Sequence, residues 1–189
     1  MTYRVKEEKT NSTPSQISKH KYYLKINFGC GKEKLKGYVN VDNDKGCNPD
    51  VLYDLNKFPY PFKTNSIEEI YSKFVVEHLE NPQQFLRECY RILKPHKKIT
   101  IVTDNMIGLH YILNKYKENG FDWFNEHICA FNRKMLERLF FNADFCLVKV
   151  DFVNDYPFRN YRIIPNLFCR IFKQFSRILR ATATPCKTD

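Results

Sequence analysis

The sequence predicts an α/β fold built on a largely parallel sheet, and two observations carry that expectation. Strand-like and helix-like segments alternate from residue 22 to 153, and the strand-like ones end in glycine or an acid. Tyr23–Phe28 runs into Gly29-Cys30-Gly31, Tyr38–Val41 into Asp42, Val51–Tyr53 into Asp54, and Ile99–Thr103 into Asp104. Alternating units of this kind bury both faces of a parallel sheet under helices. In an open α/β sheet the ligand sits off the carboxyl ends of the strands, so all four endings fall on one edge. Any single Asp or Gly there is an ordinary turn residue; the set points to a site.

The remaining elements follow in order. Ile67 to Phe74 (IEEIYSKF) fits helix or strand by period, and its brevity and bulky apolar residues suit a buried strand. Asn81 is a good N-cap with Pro82 behind it at the first helical position, where its missing N–H is harmless. Phe85, Leu86, Cys89, Ile92 and Leu93 then mark one helical face, and Pro95 lies just past the end. Met106 to Asn119 reads as a helix stopped by Gly120. Asn132 caps another, with Met135, Leu136, Leu139 and Phe140 on one face, and Phe145–Val153 alternates as a half-buried strand. No internal repeat is present.

Composition narrows the class. The chain has 189 residues, 43% hydrophobic, with 16 Phe, 12 Tyr and one Trp, which excludes global disorder. The net charge of +10 is uneven: residues 1–25 hold six cations and two anions, residues 151–189 seven and three, and residues 26–150 only 18 against 16. A near-neutral body with two basic ends is not the pattern of a dedicated duplex-DNA binder. The seven cysteines, odd in number and without a CxxC pair, resemble neither a disulfide framework nor a zinc site, and are expected to pack as small hydrophobes. Met1 to Lys21 has no apolar signal-peptide core, and no run of about 18 apolar residues exists, so a reducing, cytoplasmic setting is expected. The organisation expected is a polar tail over 1–20, an α/β domain over 21–164, and a basic segment over 165–189.

The glycine loop alone does not name a ligand. Glycines at 29 and 31 let a backbone turn approach a ligand closely, with N–H groups free to hold an anion. A dinucleotide fingerprint would place a third Gly at position 34, where Lys34 stands, and an acid about 20 residues on. Asp42 comes only 13 after Gly29, and no Gly-Lys-Ser/Thr run exists for a P-loop.

An ordered series of motifs is more specific. Ile26-Asn27-Phe28-Gly29-Cys30-Gly31 and Gly37-Tyr38-Val39-Asn40-Val41-Asp42 resemble the "LNLGCG … GYVNVD" opening of class I S-adenosylmethionine-dependent methyltransferases of the type 11 kind. Asp54-Leu55 before Pro-Tyr-Pro-Phe (59–62), Asn65–Tyr71, Val75-Val76-Glu77-His78-Leu79 and Arg87–Pro95 continue the likeness in order, from residue 24 to about 104. The resemblance implies a Rossmann-like sheet with helices on both faces, holding S-adenosylmethionine. By matching position it puts Phe28, Gly29, Cys30 and Gly31 under the methionine part of the cofactor and Asp42 on the ribose hydroxyls. Asp54 and Leu55 would flank the adenine, and Phe74 with the Glu77-His78 turn would border the reacting end. The chain departs from the family at His96-Lys97, where Gly-Gly is usual, and at Phe74, where the family has His. The space from Gly31 to Tyr38 is also too short for a full helix.

Candidate bases are few. His78 and His127 are the two expected near the reacting end; a histidine beside apolar residues is more often a packed, hydrogen-bonded one, and Glu77 reads equally as a helix-start residue. No Asn/Asp-Pro-Pro-Tyr tetrapeptide follows the fourth strand, which argues against exocyclic amines of nucleobases. Beyond the sheet, Leu167, Phe168, Ile171, Phe172, Phe175, Ile178 and Leu179 after Pro165 fall on one arc of roughly 140° of a helix. Arg170, Lys173, Arg177 and Arg180 lie opposite. That pattern leaves three readings open: docking on the sheet or a second subunit, peripheral membrane contact through 165–180, or an RNA or protein partner. The activity expected is methyl transfer to a small-molecule, glycan or lipid-linked acceptor. The alternatives are an inactive cofactor-binding scaffold and an RNA methyltransferase.

Overall fold

The computed structural model describes residues 24–108, 127–153 and 172–187. The expected tail over 1–20, most of the helix over 106–119, and the start of the C-terminal helix at 165–171 lie outside them.

Seven strands form one sheet: β1 (Leu24–Phe28), β2 (Val39–Asp42), β3 (Val51–Leu52), β4 (Ile67–Lys73), β5 (Leu93–Asp104), β6 (Phe145–Val153) and β7 (Ile178–Pro185), in the order β3-β2-β1-β4-β5-β7-β6. Strands β1 to β5 pair in parallel, and β7 inserts antiparallel between β5 and β6. The carboxyl ends of β1 to β5 therefore share one edge, as the acid and glycine endings predict.

Two helices are described, α1 (Pro82–Ile92) and α2 (Arg133–Phe141). Both begin as the sequence dictates: the Asn81 side chain accepts from the Gln84 N–H, and the Asn132 side chain from the Met135 N–H. Helix α1 buries Phe85, Leu86, Cys89 and Ile92 on the sheet, and α2 buries Leu136 and Phe140. The core runs under the carboxyl-end edge of the sheet, where Phe28 packs tilted or edge-on at 5.3–6.2 Å against Tyr60, Phe85 and Phe62. Each such ring contributes about 1.5–3 kcal/mol through burial alone. Among the described residues no helix is long and apolar enough to cross a membrane.

Three expectations are corrected. The helix drawn over 165–180 does not extend through its described part: Lys173–Phe175 is one 3-10 turn and Ile178 begins β7. Helical spacing of Phe175, Ile178 and Leu179 is accidental; the Arg180-Ala181-Thr182-Ala183 alternation wins because the open edge of β5 needs a hydrogen-bonding partner. Ile178 and Leu179 are buried in the sheet, so they are not available as the apolar face of an interfacial helix. The last strand of the chain comes from this segment. Second, Met106 and Ile107 form a turn closed by the Gly108 N–H on the Asn105 carbonyl, rather than opening a helix. Third, Cys146 and Cys186 form a disulfide with a Cα–Cα distance of 5.2 Å. They stand 40 residues apart in sequence and meet only because β6 and β7 are neighbours.

Candidate functional site

The glycine loop is shaped by its backbone. Gly29 and Gly31 have φ of +65° and +48°, and the N–H groups of Gly29 and Cys30 both reach the Val41 carbonyl, at 2.8 and 3.1 Å. A Cβ at Gly29 would lie 2.1 Å from Val75 Cγ2, so the loop presses directly on the segment that follows β4. A Cβ at Gly31 would meet nothing within 4 Å. Gly31→Ala is therefore expected to cost about 1–2 kcal/mol, the left-handed backbone alone. Gly29→Ala should cost about 1–3 kcal/mol more from the collision, and thermal unfolding of the pair of variants reads the difference.

Asp42 closes the loop from β2. Its Oδ2 accepts from the Gly31 N–H at 2.7 Å and its Oδ1 from the Asp44 N–H at 3.0 Å. Residues 31–38 make no helix, and a buried amide network holds them instead. Asn40 Oδ1 accepts from Asn27 Nδ2 at 3.0 Å and from the Leu35 N–H at 2.8 Å. Asp50 Oδ2 accepts from both the Asn40 N–H and Nδ2, at 2.8 and 2.9 Å. Sequence reasoning passed over Asn27, Asn40 and Asp50; the signal was an Asn between apolar residues in each of two strands, where both are buried.

The other expected residues divide into surface and core. Asp54 is partly open and accepts from the Asn56 N–H at 3.0 Å. Leu55 is buried, and its carbonyl accepts from the Tyr60 hydroxyl at 2.8 Å. Phe28 is fully buried in the aromatic core, so its side chain supports the loop from beneath and cannot touch a ligand. Cys30 is also buried, and burial followed by the Asp42 charge pushes its thiol up to about 11, which leaves it unreactive. Asp104, expected on the open edge, is nearly buried and faces Arg177 at 3.8 Å.

The segment after β4 carries the remaining groups. Phe74 has φ +55° and its N–H donates to the Val102 carbonyl at 2.8 Å, which turns the chain sharply into a 3-10 turn over Val76–His78. Glu77 in that turn is buried, with Oε2 accepting from the Thr103 hydroxyl at 3.0 Å. Burial pushes its carboxyl up to about 7. The Glu77 carbonyl accepts from the Ile128 and Cys129 N–H groups, both at 2.9 Å, and so pins His127 beside the turn. The rings of His78 and His127 stand 4.7 Å apart at 62°. Two histidines 49 residues apart in sequence are thus brought together, with a buried carboxyl between the ends of β4 and β5.

Residues 28–101 match the family model described as "Methyltransferase domain". No curated protein sequence matches the chain. The fold is similar to that of a SAM-dependent methyltransferase from Thermotoga maritima, at 15% identity over 89% of this chain and 84% of that one, TM-score 0.63. A SAM-dependent methyltransferase from Archaeoglobus fulgidus is likewise 15% identical over 86% of each chain, TM-score 0.62. Phosphoethanolamine N-methyltransferase 2 from Haemonchus contortus, solved with S-adenosyl-L-methionine, is 13% identical over 87% of this chain and 49% of that one, TM-score 0.60.

Proposed function

Residues 28–101 belong to the class I S-adenosylmethionine-dependent methyltransferases, and from that premise we propose that the chain methylates a small-molecule or glycan acceptor. It is an enzyme of that class with S-adenosylmethionine as its cofactor. The residues present fit the cofactor: Gly31 backs onto open space, and a carboxylate stands beside it at the end of β2. When bound, the cofactor supplies a methyl group on a cationic sulfur that a nucleophile takes by direct displacement.

The carrying observation is the hydrogen bond between Asp42 and the Gly31 N–H, which couples the β2 acid to the glycine loop. In this reading Gly29 to Gly31 hold the methionine part, and Asp42 accepts from the ribose hydroxyls in charge-assisted bonds, the stronger kind. Asp54 and Leu55 flank the adenine. Phe74, His78 and His127 border the reacting end, and the two histidines orient the acceptor and take its proton where it has one to lose. Alignment of the reactants and exclusion of water supply most of the rate in such a transfer.

The near-neutral body between residues 26 and 150 supports a small acceptor over RNA. The phosphoethanolamine enzyme of the same fold is in keeping with it. A lipid-linked acceptor rested on an amphipathic helix over 165–180, and β7 takes its last three residues into the sheet. Calorimetry with S-adenosylmethionine tests the cofactor half: no heat of binding at protein concentrations well above a micromolar dissociation constant overturns it. Labelled-methyl transfer into small-molecule, glycan, lipid and RNA extracts tests the acceptor half, with label expected in the first two.

A further inference from the structure

We infer that Glu77, His78 and His127 form a binding site for one divalent cation of the zinc class, with room for an oxygen donor of the acceptor. One ligand atom from each of the three side chains lies within 4.8 Å of the other two. Bonds of about 2.0–2.2 Å to imidazole nitrogen and carboxylate oxygen put ligand atoms ~3.4 Å apart around a tetrahedral ion. Closing that gap takes movement of up to about 1.4 Å, and His78 lies exposed at the surface. Two imidazoles and one carboxylate are a donor set suited to Zn²⁺ and its neighbours, and three protein ligands leave a fourth position open.

The surroundings are those of a built site and not of a chance surface cluster. Glu77 is 1% exposed, yet Oε1 has no hydrogen-bond partner among the described residues, an arrangement that costs about 1–3 kcal/mol unless something is bound there. The other oxygen is oriented by Thr103, in the manner of an outer partner that fixes a metal-binding carboxylate. His127 is positioned beside Glu77 by the backbone hydrogen bonds that the next two residues, Ile128 and Cys129, donate to the Glu77 carbonyl. Val75, two residues before Glu77, abuts Gly29, so the cluster lies next to the glycine loop. A cation there would draw in an acceptor hydroxyl and lower its pKa beside the reacting end, and with it bound the two histidines would serve as its ligands in place of a general base. That acceptor role rests on the methyl-transfer reading; the cation site itself does not.

The test uses the full chain, freed of metal by chelation and titrated with ZnCl₂ by calorimetry and with CoCl₂ by visible absorption. The expected result is one ion per chain, with an intense Co²⁺ band of low-symmetry, four-coordinate type. His127→Ala and Glu77→Gln should each weaken binding by more than the roughly 10–100-fold that loss of a mere outer partner costs. His96→Ala, at a surface position remote in sequence, should leave binding intact. Absence of binding by the parent, or binding that survives His127→Ala and Glu77→Gln in variants still folded by circular dichroism, overturns the site. S-adenosylmethionine binding measured on the same parent sample separates the two readings. Cofactor binding without the ion sinks only the cation site, and ion binding without the cofactor sinks only the methyl-transfer reading.

Discussion

Replacing Asp42 by Ala is expected to lower the affinity for S-adenosylmethionine about 100-fold, with the fold retained. Two effects combine. The carboxylate that would accept from the ribose hydroxyls is gone, and hydrogen bonds to a charged group contribute about 1.5–3 kcal/mol each. The same side chain also anchors the Gly31 and Asp44 N–H groups, so the loop loses its tie to β2. Asp42→Asn keeps an acceptor without the charge, and an intermediate loss of about 10-fold is expected. The anchor role predicts a further, separable signature: Asp42→Ala is expected to lower stability by about 1.5–3 kcal/mol even without cofactor, chiefly through the part-buried charged bond to Gly31, the one to Asp44 being exposed. Calorimetry and thermal unfolding on the same samples read the two effects. Affinity equal to the parent's contradicts the ribose assignment outright.

The parallel half of the sheet was legible because its strands announce their ends. Each of β1, β2 and β3 is a short, mostly apolar run closed by glycine or an acid, and a parallel strand buried on both faces has little freedom to be anything else. The glycine loop and Asp42 were legible for the same reason, since backbone needs at fixed positions leave fixed residue types. The antiparallel half was not. Strand β7 pairs β5 from 82 residues away at Thr100 and Thr182, and no local pattern records a partner that distant. Its first residues also fit a helix, so local period and tertiary demand disagreed and the open sheet edge decided. Cys146 and Cys186 were invisible for the same reason. The pairing of His78 with His127 was half visible: both were singled out, but only the backbone bonds from Ile128 and Cys129 to Glu77 show why they meet.

The turn over residues 60–62 depends on one largely buried ion pair, and its removal has a large, pH-dependent effect on stability. Glu88 on α1 is 6% exposed and accepts from three donors: the Tyr60 N–H at 2.8 Å, Arg91 Nη2 at 2.7 Å and Arg91 Nε at 2.9 Å. Arg91 in turn donates to the Phe62 and Tyr60 carbonyls, at 2.9 and 3.1 Å. Residues 60–62 are thus clamped to α1, and Tyr60 passes the constraint to Leu55 through its hydroxyl. Glu88→Gln keeps the shape but loses the charge and half of the fork. It is expected to cost about 2–3 kcal/mol at neutral pH, as for hydrogen bonds to charged groups, which lowers Tm by roughly 5–10 °C in a chain of this size. Burial alone would raise the Glu88 pKa, but the Arg91 fork and the Tyr60 N–H outweigh it and hold the carboxyl below its ordinary 4.5. A depressed folded pKa means that the unfolded chain takes up the proton first. The stabilisation is therefore complete above the ordinary value and is lost as pH falls below 4.5 through the folded value. Parent and Glu88→Gln should differ most at pH 7 and converge in acid. A difference that stayed constant from pH 7 to 3 would show that packing, and not the charge, holds the turn. The same variant should also weaken cofactor binding less than Asp42→Ala does, because it loosens the platform under Leu55 without removing a group that meets the ligand.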